Sequence, residues 1–577
     1  MKRQINSRIF GIFATQSLFV ILAVAAAPAP PASAASLTIT DSNYGNGVFS
    51  GTYTGTNSQA AITIATAKPV TITNATVIGP GHLIYSYYSW NSNIIINNVV
   101  GIGTNPNVAG QQKGRFVQLN GPIRVTIEHC LLENTGGIYF DDYKGNSDGT
   151  QTLKIRYNYA HNIDGRKSNG SNGYRNGNTD NDFFRAQFVQ LNHIGNNGAV
   201  PGIEIAWNQV INDPYVSRVE DNINIGGASS GTSGSPMQIH DNLIRGAFPA
   251  LPGAQYQQTF SGGGIMLSDG GNAGAFWVQA HDNVIVGTTN YGIQINHGSN
   301  CAFWNNRVVA SGLLPSSEKI WGMNVGAVLD QGSSNIAHQP GNINVGNVVG
   351  WVKPAGTQTN GGSGGVRNDS YFPENPDDYN HQSWWQPNDG SHPTLADENN
   401  EVQGWINRDA SQGLNAGPTT IPDGTYAILA KTTGDALDCY GYGTTNGTII
   451  QLWPYGGSPN QQWKIHNLGN GYYSIRTYDT AFPGGVGRSL DANGCSGADG
   501  TIIQLWDSNG GTCQQWAITP TSANNYKIST ATAKGDGSHD VLDGAGCSGA
   551  DGTHLLLWNW GGGSCQQEWR LQLVGAY

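Results

Sequence analysis

The chain has 577 residues, with 81 glycines, 12% charged residues and a formal net charge of -11. A glycine-rich, charge-poor composition fits turn-rich β structure and argues against long surface helices. The acidic balance excludes a broad nucleic-acid or anionic-membrane footprint.

Lys2 and Arg3 precede an apolar run from Ile9 to Ala27, and Ala32-Ser33-Ala34 follows. This is the pattern of a secretory signal with cleavage after Ala34, so residues 1–34 are expected to be a signal peptide. An uncleaved anchor is the alternative. No later segment is apolar enough to span a bilayer. The mature chain is therefore expected outside the cytoplasm, secreted, free of the membrane and able to keep disulfides.

Residues 36–80 are rich in Thr, Ile and Asn and read as opening coils or a cap. A ladder of look-alike stretches follows: Ile94-Ile95-Ile96-Asn97-Asn98, Val125-Thr126-Ile127-Glu128-His129, Leu153 to Asn158, Ile203 to Asn208, Met237 to Asn242, Val278 to Asn283 and Cys301 to Asn306. Each alternates apolar and polar residues, the period of a strand. Each ends in Asn, or once in His129, where stacked amides can bond from coil to coil. A recurring strand-plus-turn unit with irregular insertions is a solenoid signature. The pattern predicts an all-β chain that opens with a right-handed parallel β-helix over residues 35–350. An antiparallel sandwich is the alternative.

A second strand family runs through the same region: Ile138 to Asp142, Val189 to His193, Ile223 to Ile225, Ile265 to Asp269 and Ile293 to His297. Alternation points Ile138, Phe140, Val189 and Leu191 inward and Tyr139, Asp141, Gln190, Asn192 and Asn224 outward. Asp142, His193, Asp269 and His297 sit at the turn just beyond, and Glu220-Asp221 precede the third strand. One face thus stacks carboxylates and imidazoles over adjacent coils. Glycosidic hydrolysis needs two carboxyl groups, one to protonate the leaving oxygen and one to activate water or attack carbon. The expected catalytic set is Asp141, Asp142, His193, Glu220, Asp221, Asp269 and His297. Asp142 and Asp221 are expected as the acid/base couple about 10 Å apart, with His193 between them. Turn formation or a structural cation is the alternative role for each acid pair.

In Asp141-Asp142 and Asn178-Thr179-Asp180 this region resembles the polygalacturonase and pectate-lyase group of β-helix enzymes. The motifs stand in the reverse order and the group's Arg-Ile-Lys is missing, so its catalytic assignments are not carried over. No defined lyase motif is present, although Arg185, Arg218 and Lys319 could neutralise a uronate. Residues 351–420 read as a cap and linker with one short helix between Thr394 and Gly413, Thr394 being its N-cap.

From residue 421 to 577 one unit recurs. Trp463, Trp516 and Trp569 each close a Gln-x-Trp or its equivalent, each unit opens with Leu-Asp at Asp438, Asp491 or Asp543, and Trp453, Trp506 and Trp558 lie between. Three copies that cannot bury a core alone make a three-fold β-trefoil. Cys495 and Cys513 have the same separation as Cys547 and Cys565, which suggests two local disulfides. Cys130, Cys301 and Cys439 have no such partner.

This part resembles the ricin-B-type lectin modules of secreted glycan-degrading enzymes. The resemblance implies galactose- or xylan-type sugar binding in up to three shallow pockets. The first would use Asp438, Gln451, Trp453, Asn460 and Gln461. The second would use Asp491, Gln504, Trp506 and Gln514, with Cys513 where Asn460 stands. The third would use Asp543, Trp558 and Gln567, with Leu556 where Gln is expected. Independently, a carboxylate and amides suit sugar hydroxyls, and an indole face suits a sugar's C–H side. The reading is a secreted, monomeric, polysaccharide-degrading enzyme, most readily a glycoside hydrolase needing no cofactor, targeted by its tail to a galactose- or xylose-type glycan. A polysaccharide lyase, with Ca2+ possible, and a non-catalytic adhesin are the alternatives. The sequence names no metal ligands.

Overall fold

The computed structural model describes residues 35–575, apart from 87–92, 147–151, 195–198, 227–228, 255–261, 270–273, 297, 330–340, 354–357, 360–361, 364–368, 372–382, 385–392, 413–415, 419, 422, 469, 478–486, 523–524 and 564. The expected signal peptide, 1–34, and His297 lie outside the described residues.

The first part is a parallel β-helix of three ladders. One ladder, the open sheet, has eleven strands in strict coil order, from Leu37–Thr40 through Ile138–Asp141 and Val189–Asn192 to Ser370–Tyr371. A second ladder stacks Arg124–Glu128, Leu153–Arg156, Ile203–Ala206, Met237–His240, Val278–His281 and Ala302–Trp304. A third stacks Leu131–Glu133, Tyr159–His161, Gln209–Ile211, Leu243–Ala247, Val284–Thr288 and Arg307–Ala310. Alternation works as the sequence implies: Ile127, Ile155, Ile205, Ile239, Ala280 and Phe303 are register neighbours and all are fully buried.

The corner between the second and third ladders is made by a left-handed residue in each coil: Asn98, His129, Tyr157, Trp207, Asp241, Asp282 and Asn305. The next residue enters the corner. There Asn158, Asn208, Asn242, Asn283, Asn306 and Asn347 form a continuous ladder, each Nδ2 donating to the following Oδ1 at 2.8–2.9 Å. His129 is not a member, contrary to the sequence alignment. It holds the left-handed position beside Tyr157, and Cys130 stands in the ladder register, its backbone N–H donating to Asn158 Oδ1 at 3.0 Å. A one-residue offset separates the two roles, and the alternation alone does not resolve it.

Parallel pairing continues beyond residue 350, since Ser383–Trp384 pairs with Val348–Trp351. The helix Leu395–Ser411 is then capped by Thr394, whose Oγ1 accepts from the Asp397 N–H while the Asp397 carboxylate accepts from the Thr394 N–H at 2.8 Å. The helix packs on the third ladder. Trp405 is 2% exposed against Leu243, Val284 and Val286, and its Nε1 donates to the Asp241 carbonyl at 2.8 Å.

The second part is a trefoil with its own core. Its hairpins are Ala436–Cys439 with Ile450–Trp453, Ser489–Ala492 with Ile503–Trp506, and Val541–Gly544 with Leu555–Trp558. They meet cyclically through Ile449 and Gln504, Ile502 and Leu556, and Gln451 and His554. Trp463, Trp516 and Trp569 are fully buried, and each Nε1 donates to the carbonyl of Leu437, Leu490 or Leu542. Cys495–Cys513 and Cys547–Cys565 are bonded, while Cys130, Cys301 and Cys439 are free and buried.

Candidate functional site

The three trefoil hairpins each set a carboxylate at the base of a cleft. In the first, Asp438 Oδ1 accepts from Gln451 Nε2 at 2.9 Å and Oδ2 accepts from Asn460 Nδ2 at 2.6 Å. Burial pushes the Asp438 carboxyl above its usual range, and these amides pull it back. Asn460 is 4% exposed and its Oδ1 has no hydrogen-bond partner among the described residues. Trp453 stands 45% exposed at the rim, with Tyr440 and Tyr442 around the same cleft of about 500 Å³. The tyrosines were not anticipated. They are legible in retrospect, since Tyr440-Gly441-Tyr442 stands where the later copies have Asn493-Gly494-Cys495 and Ala545-Gly546-Cys547.

Gln461 has another role. Its Oε1 accepts from the Gly456 N–H at 2.8 Å and its Nε2 donates to the Pro454 carbonyl at 3.0 Å, so it braces the rim loop. Gln514 and Gln567 do the same for Asn509 with Asp507 and for Gly561 with Asn559. Each also donates to its copy's acid, Asp491 at 3.0 Å and Asp543. Gln504 completes the second carboxylate at 3.0 Å. In that copy the Cys495–Cys513 bridge takes the place of Tyr442 and Asn460. In the third, Asp543 faces Leu556 in register rather than an amide, as expected. Trp506 and Trp558 are exposed at the rims.

On the open sheet, the expected couple does not form. Asp142 follows the strand Ile138–Asp141, whereas Asp221 opens its own strand ahead of Ile223, which pairs with Val189. That register puts the two acids at opposite ends of the strands, about 20 Å apart along them. Asp221 is moreover 3% exposed, accepting from Asn224 Nδ2 at 2.8 Å and from the Tyr291 hydroxyl. Residues that share a coil face need not share a level on it, and that is why the sequence stack misled. Glu220 lies at the Asp221 end, held by Arg185 Nε and Gln187 Nε2, both at 3.0 Å.

At the other end, Asp141, Asp142 and His193 do converge, each offering a ligand atom within 4.8 Å of the others. His193 Nδ1 lies 2.8 Å from Asp141 Oδ1, so it flanks Asp141 rather than standing between Asp142 and Asp221. Asp142 and His193 both take left-handed backbone there, which turns their side chains over the sheet edge. The backbone of Asp269 reaches this end after a register shift, opposite Gly226; its side chain lies outside the described residues. Toward the Glu220 end, Arg115 lies over Tyr139 with its guanidinium carbon 5.3 Å from the ring centroid. Sequence reading missed Arg115, which is 8% exposed and carries no motif.

A three-fold fold with an acid, an amide and an exposed indole in its clefts defines a lectin-like trefoil. Residues 403–482 and 484–558 match the ricin-type beta-trefoil lectin domain-like family, which supports carbohydrate binding by the C-terminal part. Among solved structures, this chain is similar to the designed three-fold symmetric protein ThreeFoil, at 30% identity over 26% of this chain and 99% of that one, with a TM-score of 0.23. It is similar to an exo-beta-1,3-galactanase from Clostridium thermocellum at 31% identity, TM-score 0.24, over 28% of this chain and only 33% of the galactanase. A ricin B-like lectin of Macrolepiota procera, solved with lactose, aligns at 23% identity and TM-score 0.21 over 27% of this chain and 99% of that one. No curated protein matches the chain.

Proposed function

We propose that this is an extracellular, monomeric, glycan-active enzyme. The trefoil holds a galactose- or xylose-type glycan, and the open solenoid sheet hydrolyses a polysaccharide nearby. The observation that carries the reading is the first trefoil cleft. There the Asp438 carboxylate, held by Gln451 and Asn460, can accept a sugar hydroxyl beside the exposed face of Trp453. Tethering then raises the local concentration of substrate at the solenoid. The absence of a membrane-length apolar helix among the described residues, together with two disulfides, fits work outside the cell.

Retention of the full chain on immobilised galactose- and xylose-containing glycans tests the trefoil. Asp438→Ala with Trp453→Ala should cut retention at least about tenfold, as expected for a binding hot spot, while Asp543→Ala with Trp558→Ala should cut it far less. Equal losses would show the ranking of the clefts to be wrong.

For cleavage, Asp141 and Asp142 replace the couple expected from sequence. Their closeness suits the roughly 5–5.5 Å spacing of retaining glycosidases better than the wider inverting one. One carboxyl would protonate the glycosidic oxygen while the other attacks the anomeric carbon; water, deprotonated by the first carboxylate, would then release the sugar from the second, with His193 orienting Asp141. The lyase reading draws on the same group, because two carboxylates are ligands that Ca2+ favours. Asp141→Asn and Asp142→Asn should each lose most activity on whatever polymer the wild-type chain cleaves. New reducing ends without unsaturated product support hydrolysis; unsaturated uronate lost on chelation supports the lyase. Retention with no product from any polymer would leave the protein a lectin.

A further inference from the structure

We propose that a cavity at the start of the open sheet is a second glycan site, which holds a neutral polysaccharide chain. The proposal deepens the reading of this sheet as glycan-active, but it requires neither the trefoil cleft nor the catalytic assignment. The cavity has a volume of about 330 Å³ and is lined by Asn57, Gln59, His82, Tyr85, Gln111 and Gln112 among others. That volume lies within the range of small-ligand pockets.

The chemistry of the walls selects the ligand. The rings of His82 and Tyr85 stack, with centroids 5.2 Å apart and planes 11° from parallel, and form a rigid aromatic wall. His82 Nδ1 accepts the Arg115 backbone N–H at 3.1 Å, which leaves the ring proton on Nε2 as a donor. Burial, and then the charge of Arg115, hold the His82 pKa down at about 4, so the imidazole is neutral. The side-chain amides of Gln59, Gln111 and Gln112 make no hydrogen bond to another described residue, so they remain available. The neighbouring cations are committed elsewhere. Lys113 Nζ donates to Asp164 Oδ2 at 2.8 Å, and Arg115 donates to the carbonyls of Gly136 at 2.5 Å and Arg185 at 3.0 Å. Amides and a neutral imidazole beside the Tyr85 ring match a sugar's hydroxyls and C–H face; a uronate would call for an uncommitted cation.

The register places this cavity at the Glu220 end of the strands, with Tyr85 its nearest lining residue to the acid cluster. Tyr85 pairs with Gln118, and Gln118 with Tyr139, two residues before Asp141 on the same strand. Two strand spacings and two residue rises separate the backbones of Tyr85 and Asp141 by about 12 Å. His82 precedes Ile84 by two residues, and Ile84 is level with Val117 and Ile138, so apart from Tyr85 the pocket lies at the end of the strands opposite Asp141 and Asp142.

The test uses the full chain carrying Asp438→Ala, Asp491→Ala and Asp543→Ala, which silences the trefoil, titrated calorimetrically with neutral xylo- and galacto-oligosaccharides and with an oligogalacturonate. A neutral oligosaccharide should bind, and Tyr85→Ala should raise its Kd at least about tenfold. Gln111→Ala with Gln112→Ala, at surface positions that leave the sheet intact, should raise it several-fold and guards against misfolding of the Tyr85 variant. The proposal is overturned if no neutral oligosaccharide binds the trefoil-silent chain, if the glutamine pair is without effect, or if oligogalacturonate binds more tightly. Loss of retention in the trefoil assay would sink the lectin reading alone, since this measurement is made without the trefoil acids.

Discussion

His161 occupies the third ladder between two acids, with Nδ1 2.9 Å from Glu133 Oε2 and Nε2 2.9 Å from Asp213 Oδ2. Burial alone would lower its pKa, but the hydrogen bonds to Asp213 and Glu133 outweigh burial and raise it to about 9. The folded pKa is thus above the unfolded value of about 6.5. The stabilisation is fully present below pH ~6.5 and is lost as pH rises through about 9. Denaturant titrations at pH 6 and pH 10 should show stability falling with pH, by on the order of 1–3 kcal/mol. His161→Gln should flatten that slope; an unchanged slope would assign it to other groups.

At the scale of the element, the asparagine ladder has the same logic in every coil. Asn242 donates to Asn283 Oδ1 and to the Ile205 carbonyl at 2.9 Å, and accepts from both the backbone N–H and the Nδ2 of Asn208 at 3.1 and 2.9 Å. Asn242→Ala leaves several of these buried groups unpaired, each at about 1–3 kcal/mol. Chemical denaturation should show a loss of about 3 kcal/mol or more, larger than for Asn→Ala at exposed Asn172. The repeated Asn was plain in the sequence because one corner geometry recurs. The helix Leu395–Ser411 was readable from its N-cap, Thr394, but not its docking on the third ladder, because Trp405 bonds to Asp241, 164 positions away.

The solenoid and the trefoil have separate main hydrophobic cores among the described residues, besides a smaller cluster under the helix Leu395–Ser411. They meet at Thr420, whose N–H donates to Asn98 Oδ1 at 3.0 Å and whose hydroxyl donates to Asn74 Oδ1 at 2.9 Å. Both disulfides lie in the trefoil, each closing a short loop worth about 3 kcal/mol in the chain-entropy account. Calorimetry should resolve two transitions, and reductant should lower only the one that Cys495→Ser with Cys513→Ser also lowers. A reductant-sensitive solenoid transition would contradict this, since Cys130 and Cys301 are free and buried.

What the sequence alone determined is whatever repeats. Alternation at period two, a recurrent corner asparagine and three copies of a Trp-closed unit each report local rules applied again and again, so the β-helix, the trefoil and the paired cysteines were legible. The lone imperfections in the third trefoil copy, such as Leu556, were legible against the other two for the same reason. The tertiary structure alone decided where unrepeated side chains meet. Asp142 and Asp221 share a face but sit at opposite ends of their strands, and Tyr291, 70 positions from Asp221, buries it with a hydrogen bond. Arg115 and Tyr139 come together only because insertions between the strands, unequal in length, leave the register unchanged. Register is fixed by the packing of inward Ile, Val and Leu across coils, and that long-range condition is what places the acids, the imidazole and the amides.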